Sequence, residues 1–538
     1  MAIASTDVAV LIVGGGPVGL TARALLRRWQ VPSLLVEKRS ELSSFPRSRL
    51  VNVRSMEIFR QLGLAVEISG RAFRPEYGQI RFCDVLLGRD YAQAEMVGVK
   101  APIRESPVTG VVTSQDRLEP ILMAAPGGEV LFGVQLVELA EESNGIVASL
   151  VDHHSGESFQ VHARYVIAAD GAGSTVRQRL GIDTDGPGPI ANFTTVVFDA
   201  DLDLWSAHRP AGVYFTARGL FAPLYPEGGW AWFVVTPEDV ELAQWRILLI
   251  EALASSPTDV PPDLRILRLQ HWTMTAFVAK QFRHGRILLA GDAAHAMPIA
   301  GGLGMNAGIA DVYNLCWKLA GVLHGWAGPG LLSTYETERL PIAQQTLRQA
   351  TANTQLMMQV QARRREQLLA RRPRTTIEFP WSDRYFAQLG LVLGTAYESA
   401  AVLADGSTPP MLSDPVTDYV PTGRPGHRMP HLWLRDGRSS LDALGEWFTL
   451  LTAHPDQSGE LATQPWPLRH EACSEKQADL CGLGTSGALL VRPDGHIAAR
   501  WSDHLPSDAA LERALAVISC LRTSSRLARR RHGEALLP

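Results

Sequence analysis

The stretch VAVLIVGGGPVGLTARALLRRWQVPSLLVEK, residues 8–38, decides the fold. Its first six residues are apolar and mostly β-branched, which is typical of a buried parallel strand. Gly14, Gly16 and Gly19 follow at the spacing that allows a tight turn, close approach of the backbone to a pyrophosphate, and packing of a helix on the strand. The helical segment after them would point its positive end at that phosphate. A second strand ends at Glu37, an acid placed to accept hydrogen bonds from a ribose, so the stretch predicts a dinucleotide-binding unit.

Size, charge and cysteine usage limit the class of protein. A chain of 538 residues is too long for one compact domain and predicts about three. Its net charge of −4 gives no field that would recruit nucleic acid or an anionic membrane. The apolar runs are shorter than the ~18 residues of a membrane helix, and the early first strand leaves no room for a signal peptide. Five cysteines without a CxxC pair indicate reduced thiols, no metal site and a cytoplasmic protein.

Three arginines follow the acid at the end of the second strand. Arg47, Arg49 and Arg54 stand in a loop that runs into a predicted helix over residues 55–62. Two interpretations stay open for them. They belong either to an ordinary solvated loop or to a cluster of cations over the phosphates of a bound dinucleotide.

Two further strand-and-turn units come later in the chain. Residues 165–170 form an apolar, parallel-type strand that runs into the turn DGAGSTVR, residues 170–177. Residues 286–290 form a third such strand, which runs into GDAAH, residues 291–295, and a glycine-bearing loop. A strand that enters a glycine turn is therefore repeated at three places in the chain.

A long helix follows the third unit. Its apolar residues recur at spacings of three and four, which predicts one stripe packed in the core. Asp311, Asn314 and Lys318 are predicted on the other side of this helix. We expect the helix to start at about Gly302.

The character of the chain changes between about residues 185 and 275. Helical periodicity fades and aromatic, strand-like segments dominate, which predicts a second domain with an antiparallel sheet. The candidate strands cover residues 193–200, 212–215, 230–235 and 266–277. Aromatic residues on a sheet are more often core than pocket, and both interpretations stay open here. The candidates for the floor of a substrate pocket are Tyr214, Phe215, Phe221, Tyr225, Trp230, Trp232 and Trp272.

The C-terminal third divides into a helix, a linker and a small unit. Residues 340–372 stay helical, and the basic residues near their end are interpreted as a solvated helix face. These basic residues are Arg363, Arg364, Arg365, Arg371 and Arg372. Residues 405–430 are rich in Pro, Gly and Asp and predict a linker. The strand patterns after it, with a final helix, predict a small separate α/β domain.

Three motifs now stand together in chain order. They are Gly14-x-Gly16-x-x-Gly19 with Glu37, Asp170-Gly171-x-x-Ser174-x-x-Arg177, and Gly291-Asp292-x-x-His295-x-x-Pro298. Over residues 7–400 this set resembles the class A flavoprotein monooxygenases, the family of p-hydroxybenzoate and phenol hydroxylases. The segment SQDRLEPIL, residues 114–122, and the additional C-terminal region are similar to the subgroup that hydroxylates polycyclic aromatic polyketides, such as the aklavinone 11-hydroxylase type.

The resemblance implies a fold and domain boundaries. It implies an α/β FAD-binding domain of the Rossmann-like, glutathione-reductase type, an inserted antiparallel-sheet substrate domain and a C-terminal thioredoxin-like domain. The FAD-binding domain would take residues 1–77, 101–184 and 275–372. The substrate domain would take 78–100, 185–274 and 373–404, and the thioredoxin-like domain 405–538. Cys473 and Cys481 are eight positions apart, so this last domain lacks the redox motif.

The resemblance also implies a reaction. FAD would be the tightly bound cofactor, and NADPH or NADH the transient electron donor. One oxygen atom from O2 would be inserted into a polycyclic aromatic polyketide through a flavin C4a-hydroperoxide. The protein would act as a monomer or a homodimer, and it would bind no nucleic acid, membrane or metal. Baeyer–Villiger-type oxidative cleavage, flavin-dependent halogenation and a non-enzymatic flavin-bearing module stay open as alternatives; the Trp230-Ala-Trp232 run has halogenase spacing but lacks the proline.

Carried over position by position, the resemblance assigns roles to site residues. Glu37 would hold the adenosine ribose, Arg47 would lie near the pyrophosphate and Gln115 near the flavin. Asp292 would bind the ribityl hydroxyls, and the backbone of residues 303–306 would face the pyrimidine edge of the flavin. Asp170 and Arg177 have a structural and NADPH-linked role in the family. The implied cofactor-binding set is Gly14, Gly15, Gly16, Pro17, Val18, Gly19, Glu37, Lys38, Arg47, Gln115, Asp170, Gly291, Asp292, Pro298, Gly302, Leu303, Gly304, Met305 and Asn306.

The pattern departs from the family at one position and leaves the catalytic base open. Leu303 stands where many members carry Gln, which would alter the contour next to the substrate. A base that deprotonates a phenol would help hydroxylation, but no residue is assigned to this role. His271, His295 and Tyr225 are candidates, and His295 is equally well explained as a structural turn residue.

Overall fold

The computed structural model describes residues 6–238, 240–370, 388–434, 437–452 and 466–521. The predicted basic residues Arg371 and Arg372, and residues 373–387 of the implied substrate domain, lie outside the described residues. Two eight-stranded sheets and one four-stranded sheet carry the fold, and a two-stranded pair joins two loops.

The first sheet contains the three strands that precede the glycine turns. Its order is β16-β17-β10-β1-β2-β7, and β9 and β8 extend it from the N-terminal part of β10. Five neighbouring strands, β17, β10, β1, β2 and β7, are parallel. β17, β2 and the C-terminal halves of β1 and β10 are largely buried, which explains their apolar runs, whereas β7 at the edge is exposed or half-buried. The strands of this sheet are β1 (Thr6–Val13), β2 (Ser33–Glu37), β7 (Glu129–Phe132), β8 (Val134–Glu141), β9 (Ile146–Asp152), β10 (Ser158–Ala168), β16 (Arg283–His284) and β17 (Ile287–Leu289).

The second sheet is antiparallel except for one parallel pair, β4 with β12. Its order is β18-β15-β11-β14-β13-β12-β4-β5, so two early strands join strands from the middle of the chain. The strands are β4 (Gln79–Cys83), β5 (Asp90–Glu95), β11 (Thr184–Asp199), β12 (Val213–Thr216), β13 (Gly219–Tyr225), β14 (Gly228–Val235), β15 (Arg265–Ala279) and β18 (His295–Ala296). The predicted antiparallel segments therefore lie in one sheet.

The third sheet belongs to the C-terminal region and has the order β20-β19-β21-β22. Its strands are β19 (Phe448–Thr452), β20 (Leu468–Ala472), β21 (Ala488–Val491) and β22 (Ile497–Trp501). The two-stranded pair is β3 (Leu50–Val51) with β6 (Val111–Val112). The residues of β19 and β21 share one buried cluster with helices of the first sheet, so the C-terminal region continues the main core.

Thirteen α-helices surround the sheets in the described part of the chain. They are α1 (Pro17–Arg28), α2 (Val53–Gln61), α3 (Ala65–Gly70), α4 (Gln115–Ala124), α5 (Thr175–Arg179), α6 (Asp203–His208), α7 (Leu242–Leu253), α8 (Gly304–His324), α9 (Ser333–Leu369), α10 (Leu389–Leu393), α11 (Ser440–Ala443), α12 (Glu475–Leu480) and α13 (Asp508–Ile518). None of the described helices combines the length and the apolar character that crossing a bilayer requires.

Two glycines of the first motif are required by close packing. A Cβ at Gly14, where φ is +111°, would lie 2.3 Å from the carbonyl oxygen of Ala169 in the neighbouring strand turn. A Cβ at Gly19 would lie 1.9 Å from the carbonyl oxygen of Gly14. Any side chain at either position would push the helix or the second turn away from β1.

The structure corrects the predicted start of α8. The helix begins at Gly304 rather than at about Gly302, because Gly301 and Gly302 both adopt positive φ angles. The polar residues of this helix, Asp311, Asn314 and Lys318, are also buried, since each is at most 1% exposed. Both sides of this helix are therefore core.

The predicted solvated face of residues 340–372 is also partly wrong. Arg364 on α9 is buried and pairs with Asp84, with 2.6 Å between Nε and Oδ1, while its guanidinium lies over the ring of Tyr91. Arg365 donates a hydrogen bond to the carbonyl oxygen of Ala217. Both arginines attach the end of α9 to the second sheet. Acidic and aromatic partners replace water at Arg364, whereas Arg365 stays exposed as predicted.

Candidate active site

A cavity of about 650 Å³ is lined by residues of both large sheets. One end is formed by the turns at the carboxyl ends of β1, β10 and β17, which is where open parallel sheets bind their ligands. The other end is formed by apolar side chains of the second sheet, α9 and α10. We refer to these two parts as the polar half and the apolar half.

The structure brings most of the sequence-predicted cofactor residues to the polar half. Those that line the cavity are Gly16, Pro17, Val18, Arg47, Gln115, Asp292, Pro298, Gly302, Leu303, Gly304 and Met305. A Cβ at Gly16 would meet no atom within 4 Å, so this glycine faces open space at the start of α1. The fit to a dinucleotide is good, because backbone N–H groups and a helix N-terminus meet an open groove.

The remaining members of the predicted set do not line the cavity. Glu37 accepts hydrogen bonds from the backbone N–H groups of Gly15, at 2.6 Å, and Arg39, at 2.9 Å. It thus holds the glycine turn as well as ending β2. Lys38 follows it outside the cavity wall.

Asp170 and Arg177 connect the second and third motifs. Asp170 accepts hydrogen bonds from the hydroxyl of Ser174 and the backbone N–H of Val176 and so fixes the start of α5. Arg177 donates hydrogen bonds to the carbonyl oxygens of Ala172 and Ala293, both at 2.8 Å. Its function in this structure is to hold the two turns side by side.

A buried ionic group supports the turn that carries Asp292. Asp311 accepts hydrogen bonds from the backbone N–H of Gly291, from His295 at 2.6 Å and from Arg339 at 2.8 Å. Burial alone would raise the pKa of Asp311, but the adjacent His295 and Arg339 lower it to about 2. His295 is fully buried in this group and does not reach the cavity.

Asp292 itself lines the cavity, and its side chain is exposed there. Burial raises the pKa of its carboxyl, and His295 and Arg47 oppose this shift. Burial and the neighbouring Arg39 lower the pKa of the Arg47 guanidinium, while the carboxylates of Glu119, Asp292 and Glu37 act in the opposite direction. Arg47 is therefore in the electrostatic range of both acids assigned to the cofactor.

Asn306 connects the arginine loop, which carries Arg47, Arg49 and Arg54, to the loop before α8. Its side-chain oxygen accepts hydrogen bonds from the N–H of Asn52 and the hydroxyl of Ser55. Its amide nitrogen donates to the carbonyl oxygens of Leu50 and Gly302. Asn306 therefore positions both loops from behind the cavity wall and does not line it.

Strand register decides which aromatic residues face the apolar half. Phe215, Leu220 and Phe233 stand opposite one another on β12, β13 and β14, and all three line the cavity. Successive residues of a strand point to opposite faces, so their neighbours point away from the cavity. Alternation along β13 was the signal that could have identified Leu220 in the sequence.

This register shows that most of the aromatic residues predicted for the pocket do not line it. Only Phe215 and Trp272 line the cavity. Four others pack in a buried cluster with α7 on the opposite face of the sheet. These four are Tyr214, Phe221, Trp230 and Trp232.

The three candidate bases are also displaced from the cavity wall. Tyr225 donates a hydrogen bond to Asp116 at 2.6 Å, and burial raises its pKa to about 12. His271 shares a hydrogen bond with the hydroxyl of Thr194 at 2.8 Å, and His295 belongs to the buried ionic group. Among the described residues that line the cavity, the titratable ones are Arg47, Arg49 and Asp292.

The three arginines of the arginine loop do not all have the same environment. Arg47 and Arg49 line the cavity. Arg54 does not line it; it pairs with Glu57 and donates a hydrogen bond to the carbonyl oxygen of Asp494 in the C-terminal region. Two of the three cations are therefore available to a ligand, and the third is structural.

Comparison with known proteins agrees with this site. Residues 7–350 match the model of the FAD binding domain family, and residues 422–519 match the model of the aromatic-ring hydroxylase C-terminal region. The chain belongs to the FAD-dependent aromatic hydroxylases, the class A flavoprotein monooxygenases. It is an enzyme of this class, and FAD is its cofactor.

Individual relatives are similar over nearly the whole chain. The chain is 31% identical to 2,4-dichlorophenol 6-monooxygenase of Delftia acidovorans, over 94% of this chain and 98% of that one. It is 33% identical to aklavinone 12-hydroxylase RdmE of Streptomyces purpurascens, over 94% and 97%. The crystal structure of a ternary complex of aklavinone-11 hydroxylase with FAD and aklavinone superposes with a TM-score of 0.81 at 32% identity, covering 96% of this chain and 100% of that one.

Proposed function

We propose that this enzyme hydroxylates a polycyclic aromatic polyketide, with NADPH or NADH as electron donor and O2 as oxygen source. The observation that carries the proposal is the continuity of the cavity, whose polar half leads directly into an apolar half. A dinucleotide held in the first would place its redox ring at the boundary with the second. Two of the proteins to which the chain is similar are hydroxylases named for aklavinone, which supports a substrate of this kind.

The proposed cofactor contacts follow from the lining of the polar half. The turn at Gly16 and the start of α1 would hold the pyrophosphate with Arg47, and Asp292 would accept hydrogen bonds from the ribityl chain. Glu37 would hold the adenosine ribose while it fixes the glycine turn. The N-terminus of α8, a helix of 21 residues, would place its partial positive charge beside the pyrimidine edge of the flavin.

Bound FAD supplies the activation of O2, and the chain supplies position and environment. The apolar half offers flat and flexible surfaces, among them Phe215, Trp272 and Met357, to a fused-ring substrate. Trp272 is fixed by stacking on Phe193 at 5.0 Å and by a hydrogen bond to Thr195. These apolar walls exclude water from the reacting ring.

Baeyer–Villiger-type cleavage and halogenation are the alternative reactions, and the site bears on each of them differently. Baeyer–Villiger-type cleavage would use the same cavity, and the structure of the product separates it from hydroxylation. Halogenation was suggested by the spacing of Trp230 and Trp232, but both side chains pack on the face of the sheet away from the cavity. That spacing therefore no longer supports a halogenase.

We also propose the domain organisation that the resemblance implies. The order and direction of β19 to β22 support a thioredoxin-like unit at residues 405–538, and its three cysteines, Cys473, Cys481 and Cys520, are free thiols. The second sheet supports an inserted substrate domain. We place the protein in the cytoplasm, as its unpaired cysteines suggest.

The proposal is tested by oxidation of NADPH and NADH by the purified yellow protein. A panel of one-ring, three-ring and four-ring phenols would be added in turn, and NAD(P)H consumption recorded. We expect stimulation by the fused-ring phenols and little by the one-ring phenols. Stimulation only by one-ring phenols would replace the polyketide with a simple phenol as the substrate.

A further inference from the structure

Arg49 is a loop arginine whose guanidinium is buried without a hydrogen-bond partner among the described residues. This holds for all three nitrogens of the guanidinium. Its charge lies over the ring of Phe73, 5.7 Å from the ring centroid. The residue also lines the cavity. Burial of a cation without a partner costs free energy, so Arg49 in this position lowers the free energy of unfolding.

The neighbouring acid does not neutralise Arg49 by contact. The carboxylate of Asp116 accepts hydrogen bonds from the hydroxyls of Ser114 and Tyr225. Burial lowers the pKa of Arg49 to about 10, with Asp116 and Tyr225 opposing the shift. The guanidinium therefore stays protonated at neutral pH, with its donors free for a ligand.

Arg49 and Arg47 differ in which half of the cavity surrounds them. The acids that act on Arg47 are Glu119, Asp292 and Glu37, and of these Asp292 lines the polar half of the cavity. Arg49 lies over Phe73, a member of a buried apolar cluster with Phe215. Four members of that cluster line the apolar half: Ile80, Met96, Val99 and Phe215.

We propose that Arg49 binds an oxyanion of the aromatic substrate, either an ionised phenol or a carboxylate on the ring system. The inference rests on the proposed function, because it takes the ligand of the apolar half to be the aromatic substrate. A guanidinium offers several donors in one plane and suits either oxyanion. A phenol would release its proton to bulk water on binding, and Arg49 would hold the resulting anion without a protein base.

The test uses the FAD-loaded enzyme and three anthraquinones of similar shape. Alizarin is an ionisable phenol whose colour reports its charge, anthraquinone-2-carboxylate is an anion, and 2-methylanthraquinone is neutral. Their dissociation constants are measured with wild type, Arg49→Met and Arg49→Lys, and the colour of bound alizarin is titrated with pH. No electron donor is added, so binding is measured apart from turnover.

We expect wild type to bind at least one anionic probe roughly tenfold or more tightly than the neutral one, the size of a charge-assisted hydrogen bond. Arg49→Met should remove this preference, and Arg49→Lys should retain part of it. A lowered pKa of bound alizarin identifies a phenolate as the oxyanion, and a preference confined to anthraquinone-2-carboxylate identifies a carboxylate. Equal binding of all three probes by wild type, or an anion preference that survives in Arg49→Met, would overturn the inference.

Stability and cofactor content separate this role from others. The melting temperature of Arg49→Met without ligand should equal or exceed that of wild type, because the substitution removes an unpaired buried charge. Arg74→Met, at an exposed arginine next to Phe73, is the matched control and should bind all probes as wild type does. Loss of FAD from Arg49→Met would assign Arg49 to the cofactor instead. If Arg49→Met does not fold, Arg49→Gln removes the charge with a polar side chain.

The two proposals fail in different ways. An anion preference that depends on Arg49, in an enzyme whose NAD(P)H oxidation no phenol stimulates, would refute the proposed reaction and leave the anion site standing. Stimulated turnover with no effect of Arg49→Met on anion preference would refute only the role of Arg49.

Discussion

Glu37 shows how one side chain combines a structural and a cofactor-binding role. Its carboxylate holds the backbone N–H of Gly15 and is proposed to hold the ribose of FAD. Glu37→Ala should weaken FAD binding by about 1–3 kcal/mol, the cost of leaving buried polar partners unmatched. The measurement is the dissociation constant of FAD from fluorescence recovered on dilution. Glu41→Ala, at an exposed acid in the loop that follows, is the control. An unchanged dissociation constant in Glu37→Ala would contradict the ribose role.

Asp292 is the acid of the polar half that faces the cavity most directly. Asp292→Ala removes the proposed partner of the ribityl hydroxyls, so the variant should be purified largely without flavin. Flavin content after gel filtration, read from the visible spectrum, measures this. Asp183→Ala, at an exposed acid outside the cavity, should keep the flavin of wild type. A stoichiometric yellow Asp292→Ala protein would show that the assignment is wrong.

At the scale of elements, helix α8 supports the turn that carries Asp292. Asp311 on α8 binds Gly291, His295 and Arg339, and its pKa of about 2 lies below the value near 4 of an unfolded chain. A carboxyl whose pKa is lowered by folding stabilises the fold above the unfolded pKa. This stabilisation is lost as pH falls from about 4 towards 2.

Asp311→Asn should therefore lower the free energy of unfolding by about 3–5 kcal/mol at pH 7, since it leaves the buried Arg339 without its carboxylate. The difference from wild type should shrink as the pH falls from about 4 towards 2. Urea unfolding at a series of pH values measures both effects. Asp183→Asn, in an exposed pair with Lys280, serves as the control and should change stability little. A pH-independent difference for Asp311→Asn would contradict the assignment.

Local patterns predicted the elements well because their information lies in neighbouring residues. The strands before Gly14, Asp170 and Gly291 and the start of α1 were readable from short apolar runs and glycine spacing. The burial of Lys318 was not, because its partner Glu338 stands 20 positions away and that acid's second partner, Arg492, stands 154 positions further on. Five of the seven candidate floor residues do not line the cavity. The sequence did not show which face of the sheet each residue takes, because the pairing of β12, β13 and β14 decides this.

At the scale of the whole molecule, a buried charge network joins the C-terminal region to the rest. Glu338 on α9 pairs with Lys318 on α8 at 2.7 Å and with Arg492 after β21 at 2.6 Å. Burial alone would raise the pKa of Glu338, but the two cations hold it well below its usual range. Arg428 and Glu57 form a second buried pair between the same parts of the chain.

Glu338→Ala should destabilise the whole molecule, because it leaves Lys318 and Arg492 as uncompensated buried charges. We expect a loss of about 3–5 kcal/mol and one cooperative unfolding transition at a lower temperature. Calorimetry of the FAD-loaded protein measures this, with Glu366→Ala at an exposed position of the same helix as control. An early transition for the C-terminal region alone, with the rest unchanged, would show that the core is not shared.

In the proposed reaction, the enzyme inserts one oxygen atom from O2 into a fused-ring phenol bound beside FAD. The most direct measurement is the mass of the product formed under ¹⁸O2 with NADPH and the phenol that stimulates turnover most. We expect a product heavier by one labelled oxygen atom, with the ring system intact and the new hydroxyl on an aromatic carbon. Oxidation of NADPH to give only hydrogen peroxide and unchanged phenol, for every fused-ring phenol tested, would contradict it.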